Sequence, residues 1–426
     1  METVRRKLMP GVYLTYIQEK KFKTNVLSAQ MIAPLDQKTA AANALMTAVL
    51  RRGTARYGDM QTLSAVLDHL YGTRIDCTVR KKGENQCVGF IASFVDDRYT
   101  PGGEKLLESV AEILGDLWCN PATKSGRFIP EYVQGERTNL IDEIRGQMND
   151  KRVYASIRLV QEMCGNEPYG ISRYGTEKDV QKLSPGKLYK QYTALLSSAQ
   201  LELFYSGSAE LSRVEHALLS AFSTLPRAEL IPAAQTMPHL PVQERRYVTE
   251  AMDVTQGKLS IGFSVTSRDY PALMLFNMIY GGSANSKLFL NVREKLSLCY
   301  YASTVLHRQK NMITLSSGIE FEKYDRALEE ILVQLEATRA GEIEEWEEIG
   351  ARSTMRHAFR AMRDSQGQME DFYLGQAASG TSDSIESLSD EIEAVTRERM
   401  LEAAQTIALD TVYFLKGKET EEVQAQ

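Results

Sequence analysis

Histidine and cysteine side chains, which ligate metals or act as nucleophiles in many enzymes, are few in this chain of 426 residues and lie far apart. No two of the five histidines fall within a helical turn or two of each other: His69, His216, His239, His307 and His357. The cysteines are odd in number and contain no C-x-x-C pair, so we expect small core hydrophobes rather than disulfides or a thiolate zinc site: Cys77, Cys87, Cys119, Cys164 and Cys299.

Composition and the remaining motifs exclude several further classes of protein. The formal net charge is −6 and the basic residues are dispersed among acids, so no nucleic-acid interface is predicted. The turn GGSANSK (281–287) lacks the Gly-Lys-Ser/Thr ending of a phosphate loop, and there is no G-x-S-x-G elbow. Pro10 and Gly11 interrupt the apolar start, and no stretch approaches the ~20 apolar residues of a membrane span. We therefore expect a cytoplasmic protein without a membrane partner.

A proline-bearing stretch divides the chain into halves of similar length. Residues 228–244 contain three prolines and little hydrophobic periodicity, so we predict domains at 1–227 and 245–426 joined by this linker. The segments that begin at Gly175 and Gly380 each read as Gly-Thr, a short helix, a Leu-Ser turn, an amphipathic helix and an apolar strand ending in glycine. Two tandem copies of one fold explain this similarity.

Strand and helix patterns alternate in each half. Apolar runs predict strands at 27–35, 74–95, 201–207, 258–265, 312–321 and 411–417, of which 74–95 is a hairpin folded at residues 82–85. Lys81 and Lys82 are expected to form a solvated tip. Residues 324–340 show helical spacing of their leucines and isoleucine. The mixture predicts an α+β fold, with helices packed on largely antiparallel sheets.

An alanine-rich helix that ends at Arg51 has the spacing of a metal site without the ligands. Ala44 and Ala48 lie one turn apart on one apolar face, but a methyl group offers no lone pair. Together with the following Gly-Thr and hairpin, the segment from Leu35 to Cys77 resembles the zinc-site region of the insulinase/pitrilysin peptidase family. Alignment on Gly53-Thr54 places the family's H-x-x-E-H motif on Ala44, Thr47 and Ala48.

The resemblance extends over most of the chain. The stretch 130–147 is similar to the helix that carries the family's third zinc ligand, which would be Glu143, with Glu136 one repeat earlier. In the second half, YGGSANSKLFLNVREKLSLCYYAS (280–303) resembles the family's Gly-Gly-x-x-x-Ser-Arg-Leu-Phe, Arg-Glu-Lys and Leu-Ala-Tyr signature, with Lys287 for arginine and Ser297-Leu298-Cys299 for Gly-Leu-Ala. The implied fold is processing-peptidase-like, within the LuxS/metallohydrolase class.

The resemblance also implies what such a chain does. Active members form a clamshell that encloses a peptide. The peptide backbone pairs with an edge strand, which corresponds here to the first strand of the 74–95 hairpin. By analogy Arg293, Tyr300 and Tyr324 are candidate peptide contacts, although an arginine that would help Tyr324 polarise the substrate is replaced by Ser317. Glu136 and Glu143 are interpreted as vestigial, because one carboxylate without imidazoles does not hold zinc.

Three hypotheses follow. The first is a non-catalytic subunit that pairs with a zinc-bearing homologue, or with itself, to close a peptide chamber; it needs no metal or other cofactor, and zinc is expected only in the partner. The second is a peptide-binding or scaffold protein with no part in proteolysis. The third is a metallopeptidase with relocated ligands, such as Glu143 with His69.

Overall fold

A computed structural model describes residues 3–418. Its strands in chain order are β1 (Thr3–Met9), β2 (Val12–Gln18), β3 (Thr24–Pro34), β4 (Arg74–Lys82), β5 (Asn85–Val95), β6 (Thr123–Lys124), β7 (Arg127–Phe128), β8 (Gln200–Gly207), β9 (Arg246–Met252), β10 (Gly257–Val265), β11 (Tyr301–His307), β12 (Met312–Ile319) and β13 (Ile407–Gly417). In this part of the chain no helix has both the length and the apolar character that crossing a bilayer requires.

The α-helices are α1 (Ala40–Leu50), α2 (Met60–His69), α3 (Leu106–Cys119), α4 (Pro130–Gly146), α5 (Lys151–Met163), α6 (Glu177–Gln181), α7 (Pro185–Ser198), α8 (Leu211–Ala221), α9 (Tyr270–Asn277), α10 (Tyr324–Arg339), α11 (Glu345–Arg363), α12 (Gln366–Ser379), α13 (Ile385–Glu393) and α14 (Arg397–Ala404). Two further segments, Met278–Gly282 and Leu288–Lys295, are π-helical. Both lie in the glycine-rich signature of the second half.

The first compact unit contains residues 3–144, 171–236 and 365–382. Its sheet has the strand order β1-β2-β8-β3-β5-β4, in which β2 and β8 run parallel and the other neighbours run antiparallel. One face of this sheet packs on a large apolar core that includes Leu27, Leu45, Phe90 and Trp118. Helices α1, α3, α7 and α8 contribute their apolar stripes to the same core.

The second compact unit contains residues 145–170, 237–364 and 383–418. Its sheet has the order β11-β12-β10-β13-β9, with only β13 and β9 parallel. Helix α5 packs on this sheet through Ala155 and Leu159, which contact Tyr413 and Leu415. Met163 at the end of α5 lies over Gly262 of β10, where an added Cβ would come within 2.5 Å of its sulfur.

Each unit therefore takes a segment from the other half of the chain. Residues 145–170, which precede the linker, belong to the second unit, and residues 365–382, which follow it, belong to the first. The division between the units also falls within the linker, between Thr236 and Met237. The domain boundaries predicted at 227 and 245 concern two homologous halves of the chain, and they remain a prediction. The compact units are a different division, because each unit combines segments from both halves.

Helix α12 is held on the first unit's sheet by polar contacts. Both guanidinium nitrogens of Arg80 donate to the buried carboxylate of Glu370, at 2.6 and 2.8 Å, and the Ser28 hydroxyl donates to the same group at 2.8 Å. Gln366 donates from its amide to the carbonyl of Ser206 at 2.8 Å. A small apolar cluster of Ile32, Cys87, Leu374 and Ala378 completes the contact.

The α+β fold with antiparallel-rich sheets is confirmed, as are the six predicted strand segments and the helix at 324–340. The repeat is visible as α6-α7-β8 and α13-α14-β13. Two details are wrong. The second Leu-Ser pair lies inside α13, because the capping box of Ser384 and Ser387 starts the helix there. Lys82 is not a solvated tip, since its ammonium pairs with Asp371 at 2.7 Å.

Candidate functional site

The motif positions of the resemblance lie on α1, where the structure offers nothing to bind a metal. Ala44 is 4% exposed, Thr47 is fully buried and Ala48 is half-buried. Thr47 is the one member of the three with a polar side chain, and its hydroxyl donates to the carbonyl of Asn43 at 2.9 Å. Catalytic zinc needs three protein ligands, so the residues present do not fit the metal that the family uses.

Neutral amides fix the helix at this position. Asn43 donates to the side chain of Gln86 at 2.9 Å and accepts from Gln191 at 2.9 Å. The amide of Gln86 donates in turn to the carbonyl of Ala40 at 2.9 Å. Asn43 and Gln86 are each 1% exposed, so these bonds satisfy buried polar groups. The network holds α1 in place without adding charge.

The two acids interpreted as vestigial lie on α4 in different surroundings. Glu136 forms an ion pair with Arg52, which follows α1, and accepts from the amide of Asn139 at 3.1 Å. Glu143 is exposed, and so is His69 at the end of α2. In residues 3–418, Glu143 and His69 are not part of any group of three donors close enough to share an ion.

The candidate peptide contacts of the second half belong to the second unit, but each has a different neighbour. The guanidinium of Arg293 stacks on Phe289 at 4.5 Å from the ring centre, within a π-helical segment. Tyr300 is 54% exposed and its hydroxyl donates to Glu320 at 3.3 Å.

The third candidate, Tyr324, packs against a β-strand of the same unit. Its ring lies 4.5 Å from that of Phe414, and burial raises the pKa of its hydroxyl. Ser317 lies at the position where the resemblance implies an arginine. It is buried, and its hydroxyl donates to the carbonyl of Tyr301 at 2.8 Å. No cationic side chain takes the place of that arginine at position 317.

One cluster of metal-ligating side chains does occur in residues 3–418, and sequence reasoning missed it. Cys164, Glu167 and His239 place one donor atom each within 4.8 Å of one another. Burial alone would lower the pKa of His239, but hydrogen bonds with Asp410, Cys164 and Glu167 raise it to about 10. The only signal in the sequence is the three-residue spacing of Cys164 and Glu167, because His239 lies 75 residues after the cysteine.

The cysteines divide between core and surface. Cys87, Cys164 and Cys299 are buried as expected, while Cys119 is half-buried. Cys77 is exposed, so the expectation of a core position is wrong for this residue. Its thiol nevertheless points towards α1, where it donates to the carbonyl of Thr47 at 3.5 Å.

Comparisons with known proteins decide the family. A model described as the Peptidase M16 inactive domain matches residues 182–355. The probable inactive metalloprotease YmfF of Bacillus subtilis (strain 168) is 34% identical over 413 residues, which cover 96% of each chain. The chain belongs to the M16 peptidase family. The resemblance to the inactive branch of the insulinase/pitrilysin peptidases is thereby confirmed.

Solved structures agree with the M16 assignment. A conserved protein from Enterococcus faecalis V583 superposes with a TM-score of 0.89 at 27% identity, over 99% of this chain and 100% of that one. A peptidase M16 inactive domain from Pseudomonas fluorescens gives a TM-score of 0.80 at 14% identity, over 98% and 99% of the two chains, and so shares the fold. This M16 chain keeps the fold over its whole described length.

Proposed function

We propose that this chain is a non-catalytic M16 subunit that pairs with a zinc-bearing homologue and supplies part of the wall of a peptide chamber. The proposal is supported by the side chains of Ala44, Thr47 and Ala48 on α1, at the predicted motif positions of a chain that belongs to the M16 family. The two alanines offer no lone pair to a metal, so this chain cannot activate water through a metal at these positions. What the subunit adds is shape and contact.

The edge strand β4 supports a peptide-binding role. Lys82 and Asn85 flank a two-residue turn, so they form a hydrogen-bonded pair. From there, non-hydrogen-bonded and hydrogen-bonded pairs alternate along the hairpin. The backbone groups of Val79 and Ile75 therefore point away from β5. The Ile75 carbonyl accepts from Arg51 at 2.8 Å on that outer side, which agrees with this alternation. An extended peptide would add to the sheet along this edge.

We predict that Val79→Pro weakens peptide binding at least tenfold while leaving the sheet folded. Proline removes the outward N–H of residue 79, and the inward bonds of its neighbours stay intact. Fluorescence anisotropy with a labelled unfolded peptide measures the affinity, and circular dichroism checks the fold. Val79→Thr, which keeps the N–H and the β-branched shape, is the matched control. Equal binding by the proline variant would exclude β4 as the binding edge.

The subunit role is tested by mixing. The chain alone should not hydrolyse a quenched peptide, whereas the chain with an M16 homologue carrying H-x-x-E-H should do so faster than that homologue alone. Changing the motif glutamate of the homologue to glutamine should abolish the mixed activity, because catalysis then resides in the partner. Chelator-sensitive hydrolysis by the chain alone would overturn the proposal.

Two further outcomes are informative. Stable homodimers together with no effect on any zinc-bearing homologue would favour a binding or scaffold role instead. The proposed location is the cytoplasm, and the five free cysteines fit a reducing compartment.

A further inference from the structure

The turn after α5 brings three ligating side chains to one buried point of the second unit. Cys164 ends the helix and Glu167 follows one turn later. His239 lies in the second part of the linker, where its backbone N–H donates to the carbonyl of Lys310 at 2.8 Å. Cys164 and His239 are almost fully buried, and the side chain of Glu167 is 29% exposed.

The distances suit a tetrahedral ion. Sγ of Cys164 lies 3.9 Å from Nδ1 of His239, and Nδ1 lies 2.6 Å from Oε1 of Glu167. Around zinc, with bonds of about 2.0–2.3 Å, donor atoms are roughly 3.3–3.6 Å apart. The sulfur and nitrogen already have nearly this separation. The carboxylate oxygen needs to withdraw by less than about 1 Å to make room for the ion.

The surrounding residues orient the ligands by hydrogen bonds and ion pairs, as neighbouring carboxylates do in known metal sites. Oδ2 of Asp410, whose side chain is fully buried, lies 3.0 Å from Nε2 of His239. A carboxylate accepts, so Nε2 keeps its hydrogen and Nδ1 is the nitrogen left to bind a metal. Lys310 pairs with the other oxygen of Glu167, which leaves Oε1 as the ligand oxygen.

We propose that Cys164, Glu167 and His239 form a zinc site with three protein ligands, and that water is the fourth ligand on the partly exposed side of Glu167. A thiolate, an imidazole and a carboxylate are ligands that favour zinc over magnesium or calcium. Binding releases two protons to solvent, one from the Cys164 thiol and one from Nδ1 of His239. The ion brings two positive charges, so the net charge of the cluster does not change.

This site is independent of the proposed function. It lies in the second unit and uses none of the motif positions on α1. Because Cys164 and His239 are almost fully buried, the metal stabilises the junction of α5 with the segment at His239.

Cobalt substitution of the full chain tests the proposal. Metal-free protein titrated with Co²⁺ should bind one ion and show a thiolate-to-cobalt charge-transfer band, which zinc then displaces. Cys164→Ser should lose the band, while Cys299→Ser, which changes another buried cysteine of the same unit, should keep it. Asp410→Asn should weaken binding roughly 10–100-fold by removing the group that orients His239.

Several results would overturn it. A wild-type chain that shows no band in excess cobalt has no such site, and a band that survives in Cys164→Ser comes from another thiol. Glu167→Gln keeps the shape of the side chain but removes its charge, so it should lower cobalt affinity at least tenfold. Unchanged affinity in that variant would exclude the three-ligand site. Circular dichroism confirms that each variant is folded.

Discussion

Ser297 takes a backbone conformation that side chains rarely adopt. Its φ is 51°, in the left-handed region. It follows the π-helical segment Leu288–Lys295, and the N–H groups of Ser297 and Leu298 return to carbonyls inside that segment, those of Arg293 and Val292. Helices commonly end on a left-handed residue, usually glycine. The family signature has glycine at this point, so the serine carries strain that glycine would avoid.

We predict that Ser297→Gly stabilises the chain by about 0.5–1 kcal/mol. A left-handed residue with a Cβ costs roughly 1–2 kcal/mol, and the greater freedom of glycine in the unfolded state offsets part of the gain. Urea unfolding measures the difference. Ser297→Ala retains the Cβ and should leave the stability within about 0.5 kcal/mol of wild type. A glycine variant less stable than the alanine variant would contradict this explanation.

At the scale of single residues, the sequence predicts the family motif positions but not the metal-ligating cluster. Alignment on Gly53-Thr54 predicts Ala44, Thr47 and Ala48 as the motif positions, and the structure places all three on α1. The helical repeat of 3.6 residues per turn keeps positions 44 and 48 on one face. Cys164 and His239 come from elements 75 residues apart, and only tertiary packing brings them together. A single sequence contains no spacing rule for such a pair.

At the scale of elements, α12 depends on one buried charge. The side chain of Glu370 is 1% exposed, and its partner Arg80 on β4 is 20% exposed. Removing Glu370 leaves the largely buried Arg80 with only the half-exposed carboxylate of Asp371, at 3.2 Å, and a poorly compensated buried charge is destabilising. The helix also binds the sheet through neutral groups such as Gln366, but those bonds are individually weaker.

We predict that Glu370→Ala destabilises the chain by about 3–5 kcal/mol. Arg80→Met together with Glu370→Met should recover much of the loss, because neither charge then stays unpaired. Guanidinium unfolding curves measure each variant. Asp371→Asn, at a side chain that is half-exposed, should cost less than about 1 kcal/mol and serves as the control. Equal losses for positions 370 and 371 would show that burial does not govern the contact.

Asp371 makes the same contact sensitive to acid. Burial alone would raise its pKa, but the charges and hydrogen bonds of Lys82 and Arg80 outweigh burial and hold the pKa below its ordinary value. A depressed carboxyl pKa stabilises the fold above the unfolded pKa and loses that effect as the pH falls through the folded pKa. The stability difference between wild type and Asp371→Asn should therefore be present at pH 7 and vanish in strong acid. A difference that persists in acid would exclude the charge as its cause.

Sequence patterns located most strands inside the sheets and the edge strand β4, but they missed β2 and the edge strands β1, β9 and β11. Strands β3, β8, β10 and β12 are apolar runs because both of their faces are covered. Strand β9 alternates half-buried and exposed residues and buries none of them fully, and β1 places Arg5, Arg6 and Lys7 on the surface. Edge strands carry such polar residues because they face solvent, which removes the hydrophobic signal.

At the scale of the whole molecule, neither half of the chain contains a complete unit. Fragment 1–227 includes α5, whose apolar residues Ala155 and Leu159 pack on β13, and it lacks α12. Fragment 245–426 lacks α5 and contains α12 without the strands that bind it. The predicted tandem halves describe the homology of the chain, and tertiary contacts over long sequence separations decide which segments fold together.

We predict that fragments 1–227 and 245–426 are each incompletely folded in isolation. Exposed apolar faces should bind a hydrophobic dye, and size exclusion should show expanded or aggregated species. Fragments that together span the chain should regain native circular dichroism when refolded as a mixture. Independent cooperative unfolding of either fragment would contradict the interleaving of the two units.

The position of α12 in the chain bears on synthesis. Arg80 and its partner Glu370 are separated by 290 residues, so a ribosome working at roughly 5–20 residues per second needs about 15–60 s to make the second after the first. During that interval the nascent first unit carries an uncovered sheet face that includes the apolar side chains of Ile32 and Cys87. The first unit is complete only when α12 has been made, close to the end of translation. We therefore expect holding chaperones to bind the growing chain.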